Sequence, residues 1–124
     1  MKTILFNGVQ EEIRNPDSLI KAFARLDESQ RFELWASIDE GPSLCMLRNG
    51  KHAFLMYLRF SEDPGFVSSG DAEAQGLIEY ELSNGQLDEY PAAWCIPIEQ
   101  CYRAVNYFFV NKGRRPEWLS WHES

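Results

Sequence analysis

The chain has 124 residues, a formal net charge of −7, a pI near 4.8, and 44% hydrophobic and 14% aromatic content. That length suits one domain, 1–124, with one real core, and the composition excludes intrinsic disorder. No run approaches the roughly 20 apolar residues of a membrane helix, and the acidic balance disfavours nucleic acid and anionic lipid as partners while favouring basic ones.

The opening MKTILFNGVQEEI is too short in apolar residues for a signal peptide, so a cytoplasmic location is expected. Next, NPDSLIKAFARL predicts a helix with Asn15 as N-cap, Pro16 at the first helical position, and Leu19, Ile20, Phe23 and Leu26 on one face. RFELWASI (31–38) reads as a strand. SLCMLRNGKHAFLMYLRF reads as strand 43–48, a turn at Asn49-Gly50, and strand 52–60. The irregular stretch SEDPGFVSSGDAEAQ predicts an exposed loop over 61–75, with a short strand at Phe66–Ser68.

GLIEYELSNGQLDEY then reads as strand 76–83, a two-residue turn at Asn84-Gly85, and strand 86–90. In IEYEL, Ile78, Tyr80 and Leu82 alternate with Glu79 and Glu81, the mark of a strand with one wet face. IPIEQCYRAVNYFFVNKG predicts a second helix, opened by Pro97 and closed by Lys112 in its last turn and Gly113 at C′. Ile98, Cys101, Tyr102, Val105, Phe108 and Phe109 form its apolar stripe. The expected fold class is therefore α+β: an antiparallel meander of about five strands, with an N-terminal and a C-terminal helix covering one face.

Motifs for chemistry are sparse. Neither His52 nor His122 sits in a zinc spacing, and no nucleophile elbow, P-loop or Gly-rich dinucleotide fingerprint occurs, so no metal or cofactor is predicted. Cys45, Cys95 and Cys101 are odd in number and lie among apolar residues, which favours buried free thiols. A Cys–His pair meeting in space keeps a small enzyme open as an alternative. The adjacent acids Glu11-Glu12, Asp39-Glu40, Glu62-Asp63 and Asp88-Glu89 read as solvated, without the environment that splits an acid from a base. They can instead form a distributed acidic surface opposite Lys and Arg of a protein partner. On charge and loop position the candidate contacts are Asp39, Glu40, Glu62, Asp63, Asp71 and Glu73, with Phe66 and Tyr90 as aromatic anchors beside them.

The tail NKGRRPEWLSW is read as a structural lock, with a cationic binding elbow as the alternative. Pro116 prevents continuation of the helix, and the chain then runs extended, with Leu119 and Trp121 on one face and Trp118 on the other. Arg115 is expected to fork onto a carboxylate or onto helix-end carbonyls.

The stretch 94–121, WCIPIEQCYRAVNYFFVNKGRRPEWLSW, resembles the tail of immunity protein family 1 of bacterial polymorphic and contact-dependent toxin systems. The matching positions are Ile96, Pro97, the aromatic-rich helix to Asn111, Gly113, Arg115, Pro116 and Trp121. The resemblance implies a non-enzymatic cytoplasmic antitoxin that binds a cognate toxin domain, often a nuclease or nucleic-acid deaminase, and blocks its site. It names no inhibitory contact, because those vary within the family. The other readings are an adaptor module unrelated to toxins and a small enzyme.

Overall fold

The computed structural model describes residues 2–39 and 41–123. In chain order the elements are β1 (Lys2–Phe6), β2 (Val9–Glu12), α1 (Pro16–Glu28), β3 (Arg31–Ile38), β4 (Ser43–Asn49), β5 (His52–Leu58), β6 (Phe66–Ser68), β7 (Leu77–Glu81), β8 (Leu87–Pro91), α2 (Ile98–Val110) and β9 (Trp121–Glu123). The class is α+β, but the main sheet has seven strands, in the order β2-β1-β3-β4-β5-β6-β9, each neighbour antiparallel. Two causes raise the count above the predicted five. Asn7 (φ +48) and Gly8 (φ +85) both adopt the left-handed conformation, which closes a two-residue hairpin ahead of the first helix. At the other edge, β6 pairs with β5 and is itself capped by the tail strand β9.

The helices accordingly do not flank a central meander. A hairpin precedes α1, and a strand follows α2. Asn15 caps α1, its Oδ1 accepting from Ser18 N at 2.9 Å, and the helix runs on to Glu28. Leu19, Ala22 and Leu26 are its buried stripe, while Ile20 is 64% exposed, because it sits about 100° round the helix from Leu19. In α2 the buried stripe is Cys101, Ala104, Val105, Phe108 and Phe109, and Pro97 is the N-cap rather than the first helical residue.

Both helices pack on one face of the sheet, against Ile4, Leu34, Ala36, Leu44, Met46 and Leu55. Phe23 of α1 meets Tyr102 of α2 with ring centroids 4.9 Å apart. Arg48 projects from β4 into this layer, where Nε donates to Gly50 O (2.8 Å) and Nη1 to Asp27 Oδ1 (2.8 Å) and Tyr102 Oη (3.1 Å), so its buried charge is met by a carboxylate and two further oxygens.

The other face is covered too, by the hairpin predicted to continue the meander. β7 and β8 form a separate two-stranded sheet. Buried Tyr80 packs on Phe54, centroids 5.2 Å apart, in a cluster with Cys45, Leu47, Trp35, Met56, Tyr90 and Trp94. That is why β4 is buried from Leu44 through Arg48 with no alternation. Alternation along IEYEL marks the dry side of the strand. What meets that side is a sheet face, not a neighbouring strand.

Candidate interaction surface

Among the described residues, the predicted contacts fall in separate parts of the chain: the sheet end, the 69–76 loop and the hairpin. The register places Asp39, at the end of β3, and Glu62, in the β5–β6 connection, at the same end of the sheet, since Ser37 pairs Ser43 and Ser43 pairs Leu58. Both are exposed, with positive φ (+50 and +72). Glu40 lies outside the described residues. Asp71 and Glu73 are exposed in the loop leading into β7, where Asp71 Oδ1 accepts from Glu73 N at 2.9 Å.

Asp63 is a correction. It was expected to be solvated, but it is 5% exposed, because Arg59, four residues earlier, clasps it. Arg59 Nε donates to Oδ2 at 2.8 Å and Nη2 to Oδ1 at 2.9 Å, while the Arg59 and Gly65 amides donate at 2.9 and 3.3 Å. The guanidinium bonds and the Arg59 amide hold the carboxyl well below the usual range. A side chain so enclosed positions the β5–β6 loop.

Phe66 and Tyr90 are each partly exposed, not free on the surface. Phe66 is half-buried between two guanidinium groups, Arg115 at 4.5 Å and Arg59 at 5.1 Å from the ring centroid, and stands opposite Glu123 in the strand register. Tyr90 is half-buried under the hairpin, against Phe54 (5.0 Å) and Trp94 (5.7 Å), with its hydroxyl reaching Asp88 Oδ2 at 3.4 Å. Burial pushes that hydroxyl's pKa up.

The tail packs as part of the core layer. Gly113 N donates to Phe108 O at 2.7 Å, closing the helix end across Lys112, which takes the left-handed C′ position (φ +56) one residue before the glycine predicted there. Pro116 is buried and its carbonyl accepts from Trp121 Nε1 at 2.8 Å. Arg115 lies over the Phe66 and Trp121 rings instead of forking onto a carboxylate. Trp118, 38% exposed, is covered on one side by Arg103 at 4.5 Å.

No catalytic constellation emerges among the described residues. His122 Nδ1 contacts Ser69 Oγ at 2.6 Å on the edge strand β9, and its ring packs on Trp94 with centroids 5.7 Å apart. Burial pushes the Cys45 and Cys101 thiols up, away from the reactive thiolate. One cleft, of about 120 Å³, is lined by Lys2, Ile13, Arg14, Asn15, Leu19, Asn106, Phe109 and Val110, with no acid, thiol or histidine, and a wider one, of about 690 Å³, has Glu11 and Glu12 on its wall.

Charge, in contrast, is sharply segregated. Between Arg59 and Arg103 the sequence has no Lys or Arg, yet holds Glu62, Asp63, Asp71, Glu73, Glu79, Glu81, Asp88, Glu89 and Glu99. Elsewhere ten acids face twelve basic residues, so the whole negative balance arises from this one stretch. Six of its nine acids lie in the 69–76 loop and the β7–β8 hairpin, and the others are Glu62 and Asp63 before β6 and Glu99 in α2.

The hairpin's outer face was missed in the sequence by one residue of register. Leu82 N donates to Gln86 O and Gly85 N to Leu82 O, leaving a three-residue loop with Gly85 left-handed (φ +86), not a two-residue turn. The pairs are therefore Leu77–Pro91, Glu79–Glu89 and Glu81–Leu87 on the outside, and Ile78–Tyr90 and Tyr80–Asp88 on the inside. Asn49 Nδ2 donates to Glu79 O at 2.8 Å, and Glu33 Oε1 accepts from Ser83 N at 3.3 Å, fastening the hairpin to the sheet.

Residues 7–123, from the first hairpin turn through β9, match the family model described as Immunity protein Imm1. The chain belongs to the Imm1 immunity protein family. No curated protein matches it. Membership points to a toxin-neutralising role exercised by binding a cognate toxin protein, and to an inhibitor rather than an enzyme. In this Imm1 chain the negative balance lies between Arg59 and Arg103. No helix among the described residues is long and apolar enough to cross a membrane.

Proposed function

We propose that this Imm1-family chain neutralises, in the cytoplasm, a toxin domain of a polymorphic or contact-dependent system, and that the toxin is a nuclease or a nucleic-acid deaminase. The carrying observation is the family match across residues 7–123. The segregated charge supports the choice of toxin. An enzyme that acts on nucleic acid presents Lys and Arg to phosphates. An acidic inhibitor is steered to such a surface and competes with the substrate there. Asp39, Glu40, Glu62, Asp71 and Glu73 are the proposed charged contacts, and Asp63, Phe66 and Tyr90 hold the loops and hairpin that carry them.

The experiment is co-expression with the toxin gene beside this chain's own, followed by binding of the purified, catalytically inactivated toxin domain. Rescue from toxicity is expected, with submicromolar binding that weakens as salt rises and is competed by nucleic acid. Survival no better than without this chain, or binding indifferent to nucleic acid, overturns the reading.

A further inference from the structure

The outer face of the β7–β8 hairpin carries three rungs. One is apolar, Leu77 opposite Pro91. The middle one is acidic, Glu79 opposite Glu89. The third is mixed, Glu81 opposite Leu87. Leu77 and Leu87 are 59% and 53% exposed, and all three glutamates are exposed. Other exposed apolar side chains, such as Val9, Ile20 and Val110, stand on separate elements. Like charges directly opposite on a strand pair weaken it. Among the described residues no ion pair involves Glu79 or Glu89, so no cation of these residues is paired with that rung. Meanwhile the inner face is fixed by Tyr80 and Asn49. A rigid platform with apolar ends and an uncompensated acidic centre is complementary to a basic protein surface with apolar side chains at its margin.

We infer that the outer face of β7–β8 is the surface the cognate toxin covers, with toxin Lys or Arg set between Glu79 and Glu89 and apolar toxin side chains over Leu77 and Leu87. The inference rests on the immunity role proposed above. The 69–76 loop, with Asp71 and Glu73, extends the platform along the chain. A second copy of this chain is a poor occupant, because a two-fold contact would set the acidic rungs against each other.

Glu79→Lys separates binding from folding. It creates an opposite-charge rung with Glu89, so thermal stability stays level or rises. Association with the inactivated toxin domain encoded beside this gene slows about tenfold or more at low salt, and the deficit shrinks at high salt. The double variant Leu77→Ser/Leu87→Ser melts as wild type but dissociates about tenfold faster. Ile20→Ser, on α1, serves as control and binds normally. Wild-type binding with both hairpin variants unimpaired overturns this face while leaving the immunity role standing. Wild type that fails to bind overturns the role itself. A wild-type dimer in sedimentation that Leu77→Ser/Leu87→Ser dissolves assigns the face to a second copy and also overturns the inference.

Discussion

Tyr57 donates its hydroxyl to the carbonyl of Gly113 at 2.7 Å, tying a central strand to the turn that ends the last helix. Gly113 holds φ +86, and a Cβ there would lie 2.6 Å from Pro42 Cγ. Gly113→Ala therefore meets both a disfavoured conformation and a clash, and should cost about 2–3 kcal/mol in urea unfolding. Tyr57→Phe removes one buried hydrogen bond and should cost about 1 kcal/mol. Unchanged midpoints in both variants would show that this tie carries no stability.

Trp121 closes the same lock. Its ring is half-buried against Tyr57 (centroids 6.3 Å apart), its Nε1 donates to Pro116 O, and its strand caps β6. Trp121→Ala should destabilise by about 2–3 kcal/mol, the lower range for a truncated aromatic because part of the ring is already wet. Binding of the toxin domain by the folded fraction should be unchanged. A stable Trp121→Ala protein that no longer binds would move the interface to the tail.

How far the sequence reached follows the range of each interaction. The Asn15 cap and the alternation of IEYEL are local, and so were legible. The Gly85 bulge shifts register by a single residue, which motif spacing does not resolve, and that residue decides that Glu79 faces Glu89 and not Tyr90. The docking of Tyr80 onto Phe54 joins positions far apart in the chain, and alternation tells which side is dry without telling what dries it. The Arg59–Asp63 pair stands at i, i+4 outside any helix, so its spacing alone did not signal the clasp, which needs the β5–β6 turn where Gly65 takes φ +82 and its amide also donates to Asp63. Arg115 chose aromatic faces over carboxylates because Phe66 and Trp121 are brought together by β6–β9 pairing, itself nonlocal.

Acid should unfold the protein through two carboxylates. Guanidinium hydrogen bonds from Arg59 and Arg48 lower the pKa of Asp63 and Asp27 in the folded state. A depressed folded pKa gives stabilisation that is complete above the unfolded value, about 3.9, and is lost as pH falls through the folded one. Stability should therefore be flat from neutrality to about pH 5 on account of these groups and decline below about pH 4. Asp63→Asn should be less stable at pH 7 and decline less steeply in acid, as read from unfolding curves at each pH. Parallel pH profiles for wild type and Asp63→Asn would contradict the clasp.

Tyr80 decides whether the hairpin is a platform or a flap. Its ring is fully buried against Phe54, and its hydroxyl meets Cys95 Sγ at 3.3 Å, while the polar fastenings of the hairpin are the Asn49 and Glu33 hydrogen bonds. The seven-stranded sheet keeps its own ladder and its helical layer without the hairpin. Tyr80→Ala should thus cost about 3–5 kcal/mol where the two sheets meet. Hydrogen exchange should show residues 77–91 losing protection before β3, β4 and β5 do. Tyr80→Phe keeps the ring and should leave exchange in the hairpin close to wild type. Should the loss in Tyr80→Ala instead spread evenly over both sheets, the hairpin and the main sheet unfold as one unit, and the platform is rigid by cooperativity and not by this single anchor.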